Sequence, residues 1–287
     1  MTEELIDNGL IILDKPPGHT SHEISAFIKK ITSAKRSGHA GTLDPEVSGV
    51  LPVAIGRATK LLRYIASETK TYVGIIKFRD IQSRERILEL FKKFSGEIVQ
   101  TPPKISAVRK VPRKRIIYHL KLIEISKENP RLALFEAKVG AGTYIRTLCE
   151  DIGKTCGGAR MEELRRIAVG DITEKNTVKM EDVVDAMWLL KNKQDESEIN
   201  RIIHPPEKFI FLPKAVIRDS AINSIKSGAK IAIPAISEFP ENILEGQKIN
   251  LFSESGIFIG VGIAVISSIN FSKKNKGIAF KLERMHL

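Results

Sequence analysis

The sequence predicts an α+β protein in which a mixed, mainly antiparallel sheet with flanking helices is followed by a small β-rich domain. The chain has 287 residues, enough for about two domains. Segments with apolar residues at helical spacing alternate with segments typical of strands, and residues 191–206 form a polar stretch that ends in prolines. These observations place a boundary near residue 208 and divide the chain into residues 1–208 and 209–287.

The first predicted elements are a strand and a helix. Residues 10–13 are an apolar run that ends in the turn sequence DKPPG, which is typical of a buried strand leading into a tight turn. Thr20 and Glu23 match a capping box, so a helix is expected directly after the turn. Its apolar residues follow the spacing of one buried face: Ile24, Phe27, Ile28 and Ile31.

The glycine-broken segment 38–49 is predicted as a loop, and further strands and helices follow it. Helical spacing predicts a helix over residues 87–94 that Gly96 ends, one that Thr143 caps, and one over residues 183–190. Strand signals recur at residues 72–78, 116–125 and 132–139. In the second domain, a short helix is predicted after Asp219, with short strands near residues 229–233, 247–252, 257–265 and 277–282.

The composition favours a polyanionic partner. The chain carries 46 Lys plus Arg against 34 Asp plus Glu, a formal net charge of +12, which suits nucleic acid. The N-terminal residues lack the apolar region of a secretion signal and no apolar run approaches the length of a membrane span, so we expect a cytoplasmic protein without membrane contact. Cys149 and Cys156 fit neither a zinc site nor a disulfide framework, and buried free thiols are expected.

Residues 38–45, GHAGTLDP, present one carboxylate, Asp44, on a polar turn within this basic chain. A surface that binds a polyanion gains nothing from an acid unless the acid does chemistry or builds the turn. Gly41 frees the backbone, Leu43 can pack inward and Pro45 fixes the exit angle, so Asp44 is a candidate nucleophile on a stiff loop. The alternative is an Asx-turn before a proline, which the residues alone leave open.

Two further segments offer site residues. Arg146 falls in the first turn of a predicted helix, where the helix dipole disfavours a cation, so an acidic partner is expected. That partner is either Asp44, which a guanidinium would orient, or Glu150 one turn on, which spacing alone favours. Lys70 and Tyr72 open a strand with an aromatic ring beside a cation, which suits stacking on an unstacked base, although plain strand packing is the commoner case.

A run of basic residues is expected to be extended and exposed for phosphate contact. Five of the seven residues 109–115 are Lys or Arg and one is Pro112, with a solvated charged run as the alternative. The absence of nucleotide-binding motifs and of metal-ligand spacing predicts no cofactor and no metal. Other cations could extend the same basic field: Lys29, Lys30, Lys35, Arg36, Arg160, Arg165 and Arg166.

Together these segments resemble the pseudouridine synthase family typified by the bacterial tRNA T-loop enzyme, in its archaeal and eukaryotic dyskerin branch. The resemblance spans nearly the whole chain, and its last part looks like a PUA RNA-binding domain, a small pseudo-barrel. The matching segments are residues 9–23, 38–60, 70–73, 100–110 (the base of the family's thumb region), 139–153 and 211–287.

The resemblance implies that uridine in RNA is isomerised to pseudouridine without a cofactor, the base being detached, turned and rejoined through carbon. Carried over by position, Asp44 is the nucleophile, Tyr72 contacts the target base and Arg146 pairs with Asp44. The implied substrate-binding group is His39, which holds the flipped-out nucleotide, Lys15, which supports the active-site loop, and Lys70.

The implied substrate is the tRNA T-loop at position 55, or ribosomal RNA with the chain as catalytic subunit of an H/ACA guide ribonucleoprotein, or both. In the guided role the family's partners are a guide RNA and small proteins. The alternative is a non-catalytic RNA-binding scaffold that uses the PUA domain, which the presence of Asp44, Tyr72 and Arg146 disfavours.

Overall fold

The structure is a computed structural model that describes residues 2–102 and 109–286. Its first part contains, in chain order, α1 (Thr2–Asp7), β1 (Leu10–Lys15), α2 (Ser21–Thr32), β2 (Ser37–His39), β3 (Ser48–Ile55), α3 (Leu62–Ala66), β4 (Lys70–Phe78), α4 (Arg84–Lys93), β5 (Gly96–Gln100), β6 (Arg113–Ile125), β7 (Leu132–Val139), α5 (Ile145–Lys154), β8 (Ala159–Val169), β9 (Ile172–Thr173), α6 (Met180–Lys193) and α7 (Ser197–Ile202). The second part contains β10 (Lys214–Ile217), α8 (Ile222–Lys226), β11 (Ile231–Ala232), β12 (Ile236–Glu238), β13 (Lys248–Ser253), β14 (Phe258–Ala264), α9 (Ser268–Phe271) and β15 (Ile278–Met285).

The strands form two mixed sheets. The larger has the order β1-β3-β8-β4-β7-β6-β5, with β2 on β3 and β9 on β8, and the smaller has the order β11-β15-β14-β13-β10-β12. Among the described strands, β3 with β8 and β10 with β13 are the parallel pairs, and the others are antiparallel. The predicted α+β class is therefore confirmed.

One interior strand of the larger sheet, β8, was not predicted from the sequence. Its residues read ARMEELRRIAV, and the run of Met, Glu, Leu and Arg is typical of a helix rather than a strand. The strand forms because β3 and β4 each offer an open edge, and pairing with both outweighs local propensity. Arg166 of β8 consequently lies opposite Gly49 on one side and Tyr72 on the other.

Local signals located many of the other elements, with corrections at their ends, but the strands β3, β5 and β10 were not predicted either. The capping box of Thr20 and Glu23 is present at the start of α2, as predicted. The segment 38–49 is not wholly loop, because β2 runs to His39 and β3 begins at Ser48. Thr143 does not cap α5: its hydroxyl donates to the carbonyl of Gly140, and Tyr144 occupies the cap position.

The two sheets share one apolar cluster across the domain boundary. Its members include Leu10, Leu61, Tyr64, Phe209, Ile210, Phe258 and Val261. Polar contacts reinforce the junction, since the Tyr64 hydroxyl donates to Glu283 at 2.8 Å and the Asn8 amide nitrogen lies 2.6 Å from Nε2 of His286. The second sheet is thus packed against the first through side chains from both parts of the chain.

The remaining sequence expectations concern cysteines and membranes. Both cysteines are free, and Cys149 is fully buried while Cys156 is partly buried. Burial raises the pKa of the Cys149 thiol, so it remains protonated. Within residues 2–102 and 109–286, no helix has the length and apolar content that crossing a bilayer requires.

Replacing Gly49 with alanine is predicted to lower the free energy of unfolding more than the same change at a glycine with open space around it. Its φ is +105°, and a Cβ there would lie 2.1 Å from the carbonyl oxygen of Arg166 in β8. Gly96 is the matched control, because its φ is +90° but no atom lies within 4 Å of the position that a Cβ would take. Gly96→Ala should cost about 1–2 kcal/mol of unfolding free energy from backbone strain alone. Gly49→Ala should cost about 1–3 kcal/mol more, because β3 and β8 must separate; equal losses in urea unfolding would contradict this packing.

Candidate active site

The loop between β2 and β3 carries Asp44, and the structure brings Arg146 to it. Nη2 of Arg146 donates to Oδ2 of Asp44 at 2.5 Å, across 102 residues of sequence. Sequence spacing alone favoured Glu150 as the partner, and that interpretation is wrong. The pair is partly exposed, since the Asp44 side chain is 48% exposed and that of Arg146 is 39% exposed. The guanidinium therefore orients the carboxylate and leaves it open to a bound molecule.

The start of α5, and hence Arg146, is held by a glutamine that sequence reasoning missed. Gln100 is 2% exposed. Its Oε1 accepts from the Tyr144 backbone N–H at 3.0 Å, and its Nε2 donates to the Tyr144 carbonyl at 3.1 Å. These two bonds fix the residue that precedes α5. Gln100 begins the segment 100–110, of which residues 103–108 lie outside the described residues.

Lys15 holds the backbone of the Asp44 loop through hydrogen bonds. Its side chain is fully buried, and Nζ donates to the carbonyls of Pro16, Pro45 and Val47 at 2.8 to 2.9 Å. Burial lowers the pKa of Lys15, and the nearby carboxylates of Glu46 and Asp44 oppose that shift. This placement fits the predicted support of the loop. All three N–H donors of the Lys15 ammonium are used by backbone carbonyls, so none is left for a substrate.

Ser21 holds the apolar side of the same loop. It is fully buried at the first position of α2. Its hydroxyl accepts from the backbone N–H of Leu43 at 2.8 Å and donates to the Leu43 carbonyl at 3.0 Å. Leu43 therefore points into the core as predicted, and its successor Asp44 is directed outward. Sequence reasoning did not identify Ser21, because a serine at a helix start is ordinarily read as a capping residue.

Tyr72 lies behind the loop and contacts a buried arginine. It is 8% exposed and belongs to the same apolar cluster as Leu43 and Val47. Arg166, which is 1% exposed, lies opposite Tyr72 in the pairing of β4 with β8, and its guanidinium interacts with the Tyr72 side chain. Burial lowers the pKa of Arg166, and the interaction with Tyr72 opposes the shift. The structure thus places the predicted base-contacting ring next to the segment that carries Asp44.

The possibility that the arginines of β8 extend the basic surface field is wrong for Arg166. Arg166 is inaccessible to RNA because of its burial. Arg165 forms ion pairs with Asp14 at 2.9 Å and Glu174 at 2.5 Å, which hold β8 to β1 and to the segment after β9. Arg166 was grouped with cations that could extend the surface field because no strand was predicted there.

Lys70 and His39 complete the predicted set, and both are largely enclosed. Nζ of Lys70 donates to the carbonyls of Ala66 and Glu68 at 2.6 Å, and its side chain is buried. Burial, with repulsion from Arg166, lowers the pKa of Lys70 to about 8. This geometry favours structural support over direct substrate contact, and the predicted substrate role stays a prediction.

His39 lies at the entry to the Asp44 loop. Its Nε2 is 3.3 Å from the Thr42 hydroxyl, and burial together with His22 and Arg166 lowers its pKa. The imidazole is therefore neutral at physiological pH. A neutral ring offers one donor and one acceptor near the start of the Asp44 loop, which suits contact with a nucleotide.

The basic run borders the start of α5. Arg109, Lys110 and Arg113 are exposed. Lys114 pairs with Glu97 at 2.9 Å, and Nε of Arg115 donates to the carbonyl of Gly142 at 2.9 Å. Arg113 therefore begins the strand beside the turn that leads to Arg146, and the exposed Arg109 and Lys110 precede that strand in the sequence.

Family comparisons identify the chain. The family described as "TruB family pseudouridylate synthase (N terminal domain)" matches residues 29–145, a tRNA pseudouridylate synthase B C-terminal domain matches 146–210, and a PUA domain matches 213–286. A probable tRNA pseudouridine synthase B of Pyrobaculum aerophilum is 41% identical, over 99% of this chain and 85% of that protein. The chain belongs to the TruB family of pseudouridylate synthases. Another relative, from Nanoarchaeum equitans and of the same description, is 40% identical over 99% of this chain and 81% of that protein.

Solved structures agree with membership of the TruB family. A Cbf5-Nop10-Gar1 complex contains a chain with a TM-score of 0.91 and 38% identity, covering 100% of this chain and 87% of that one. A structure of an H/ACA RNP bound to a substrate RNA containing 2'-deoxyuridine gives a TM-score of 0.91 and 37% identity, with the same coverage. The predicted PUA domain and the enzyme class, an isomerase that forms pseudouridine, are confirmed.

The lowered pKa of Lys70 predicts a pH dependence of stability. In the folded protein Lys70 loses its proton near pH 8, whereas in the unfolded chain it does so near 10.5. Between these values the unfolded chain binds more protons, so the contribution of Lys70 to the unfolding free energy rises with pH. The difference in unfolding free energy between wild type and Lys70→Met should therefore rise from pH 8 to pH 10. The exposed Lys92→Met serves as control, and a flat difference for Lys70→Met would contradict the burial of a charged ammonium.

Proposed function

We propose that the chain isomerises uridine in RNA with Asp44 as the nucleophile. The observation that carries this proposal is the Arg146–Asp44 contact at a half-exposed position, since it holds one carboxylate in a fixed orientation within reach of a bound molecule. The proposed substrate is the tRNA T-loop at position 55, or ribosomal RNA in an H/ACA guide ribonucleoprotein, or both. The proposed compartment is the cytoplasm, where these RNAs act.

The chemistry follows from the groups around the loop. Isomerisation breaks the bond between C1′ and N1 of uridine and forms one between C1′ and C5, while a proton leaves C5 and one is gained at N1. Arg146 engages Oδ2 of Asp44, which leaves Oδ1 to attack either C1′ of the sugar or C6 of the base. Tyr72 packs against the target base, and neutral His39 holds the flipped nucleotide at the loop entry.

Access to the target requires that the nucleotide leave its stack. Extruding a base costs on the order of a few kcal/mol, and phosphate contacts can offset that cost. The exposed cations Arg109, Lys110 and Arg113 suit such contacts, and Arg113 lies opposite Gln100, which binds the residue before α5. We also propose that the division into residues 1–208 and 209–287 separates a catalytic part from an RNA-binding part, with the PUA domain holding RNA at a fixed distance from Asp44.

The partners are proposed from the titles of the similar structures. Those titles describe complexes of Cbf5 with Nop10 and Gar1 and an H/ACA RNP with substrate RNA. By analogy, this chain would assemble with a guide RNA and small proteins of those kinds. The relatives named as probable tRNA pseudouridine synthases support unguided action on tRNA as well.

One assay separates these possibilities. Tritium release from C5-labelled uridine is measured on a tRNA transcript and on a ribosomal RNA fragment, each with and without guide RNA and partner proteins. Release from tRNA by the chain alone supports stand-alone activity, and release from ribosomal RNA only in the complete mixture supports guided activity. RNA binding without release in all arms would favour a scaffold and contradict the proposal.

Asp44→Asn should abolish pseudouridine formation and leave RNA affinity within about threefold, because the amide keeps the shape of the side chain but cannot act as a nucleophile. Asp151→Asn is the matched control, since Asp151 pairs with Lys154 on the surface of α5. It should retain wild-type turnover. Undiminished tritium release by Asp44→Asn would refute the assignment of the nucleophile.

Replacing Arg109, Lys110 and Arg113 with glutamine should weaken RNA binding and flatten its salt dependence. The slope of log K against log salt should fall by about 0.7 for each single-strand phosphate that the variant no longer neutralises. The same three-charge change at the exposed Lys92, Lys93 and Lys127 is the control for net charge. Equal slopes for the two triple variants would mean that the basic run makes no specific contact with the RNA backbone.

A further inference from the structure

The two largest fully buried side chains in the described residues are both cations, Arg166 and Lys15. Removing a charged group from water is costly unless polar partners replace the water. For Arg166 those partners are neutral: its described hydrogen bonds go to two backbone carbonyls, and the side chain that interacts with it from the neighbouring strand is that of Tyr72. A buried guanidinium without a carboxylate contributes little net stability, which points to a role in function.

The two carbonyls that accept from Arg166 flank Asp44, and the neighbouring side chain is that of the proposed base-contacting residue. Nε donates to the carbonyl of Val50 at 2.7 Å, and Nη2 donates to the carbonyl of Gly41 at 3.0 Å. Gly41 and Val50 lie on either side of Asp44 in the sequence. The third partner is the side chain of Tyr72. One planar group therefore joins both sides of the Asp44 loop to Tyr72.

The backbone of Arg166 is fixed as tightly as its side chain. In β8 it lies between Gly49 of β3 and Tyr72 of β4. The close approach of Gly49 to the Arg166 carbonyl leaves no room for the strand to shift. A Cβ on Gly41 would lie 3.2 Å from Nη1 of Arg166, so the loop backbone also rests directly on the guanidinium.

We propose that Arg166 is a positioning residue for the reaction, which fixes the distance between Tyr72 and the loop that carries Asp44. This inference rests on the proposed roles of Asp44 and Tyr72. A uracil placed by Tyr72 then meets the carboxylate in reactive geometry, although Arg166 never touches the RNA. Misplacement of reacting groups by about 1 Å can lower the rate about 100-fold, so replacing a positioning residue should have a measurable effect on the rate.

The geometry, rather than the charge, is the property that matters. A guanidinium presents five N–H donors in a rigid fork and can reach three acceptors in different directions. A lysine ammonium keeps the charge but cannot bridge the same acceptors. Arg166→Lys therefore tests positioning while it preserves the electrostatic field of the site.

The experiment measures the single-turnover rate constant at saturating tRNA, together with the dissociation constant of the RNA. Arg166→Lys should lower the rate about 100-fold and leave the dissociation constant within about threefold. Tyr72→Phe keeps the ring but removes the hydroxyl, the polar group of the side chain with which Arg166 interacts. In the Tyr72→Phe background, Arg166→Lys should therefore lower the rate much less, by about tenfold or under. Arg165→Lys is the matched control on the same strand, with an expected rate within about twofold of wild type.

Two outcomes would overturn the inference. A wild-type rate for Arg166→Lys would show that charge alone suffices, and fully multiplicative losses in the double variant would show that Arg166 does not act through Tyr72. Arg166→Met removes both the charge and the hydrogen-bond donors of the guanidinium. The melting temperature and the RNA affinity of this variant show whether the variant is folded. Turnover by Asp44→Asn would refute the proposed function itself, whereas an inactive Asp44→Asn with an active Arg166→Lys would refute only the positioning role.

Discussion

The site depends on buried cations that bind backbone carbonyls. Lys15 donates to Pro45 and Val47, and Arg166 donates to Gly41 and Val50, so the loop between β2 and β3 is held from within on both sides of Asp44. These bonds turn carbonyl groups inward, while the Asp44 side chain is directed outward to Arg146. The desolvation of two cations is offset by several hydrogen bonds to neutral acceptors, which are strengthened by the low dielectric of the interior.

Much of the fold was predictable because its signals are local. The capping box at Thr20, the alternation over residues 132–139 and the stiff loop around Asp44 each depend on a few neighbouring residues. The strand β8 was missed because its formation depends on two open edges that are distant in sequence. Because the strand was not assigned, Arg166 was grouped with cations that could extend the surface field, whereas it is buried.

The pairing within the site shows the same division between local and non-local information. Spacing along a helix can identify Glu150 as a neighbour of Arg146, but it cannot detect Asp44, 102 residues away. The resemblance to a family supplied that contact. It did not supply Gln100, Ser21 or the guanidinium beneath Tyr72, whose roles become visible only when the partner of each buried polar group is identified.

The two sheets share one apolar cluster, so the predicted boundary near residue 208 divides the sequence but does not separate two parts of independent stability. Cutting the chain near residue 208 would leave Leu10 and Tyr64 without the aromatic and aliphatic groups of β14 that cover them. A homologous RNA-binding module grafted in place of residues 209–287 would have to reproduce that buried face before it could bring any new RNA preference. Substitutions are therefore tolerated best on the outer strands of the smaller sheet. They are most restricted at the apolar cluster that the two sheets share.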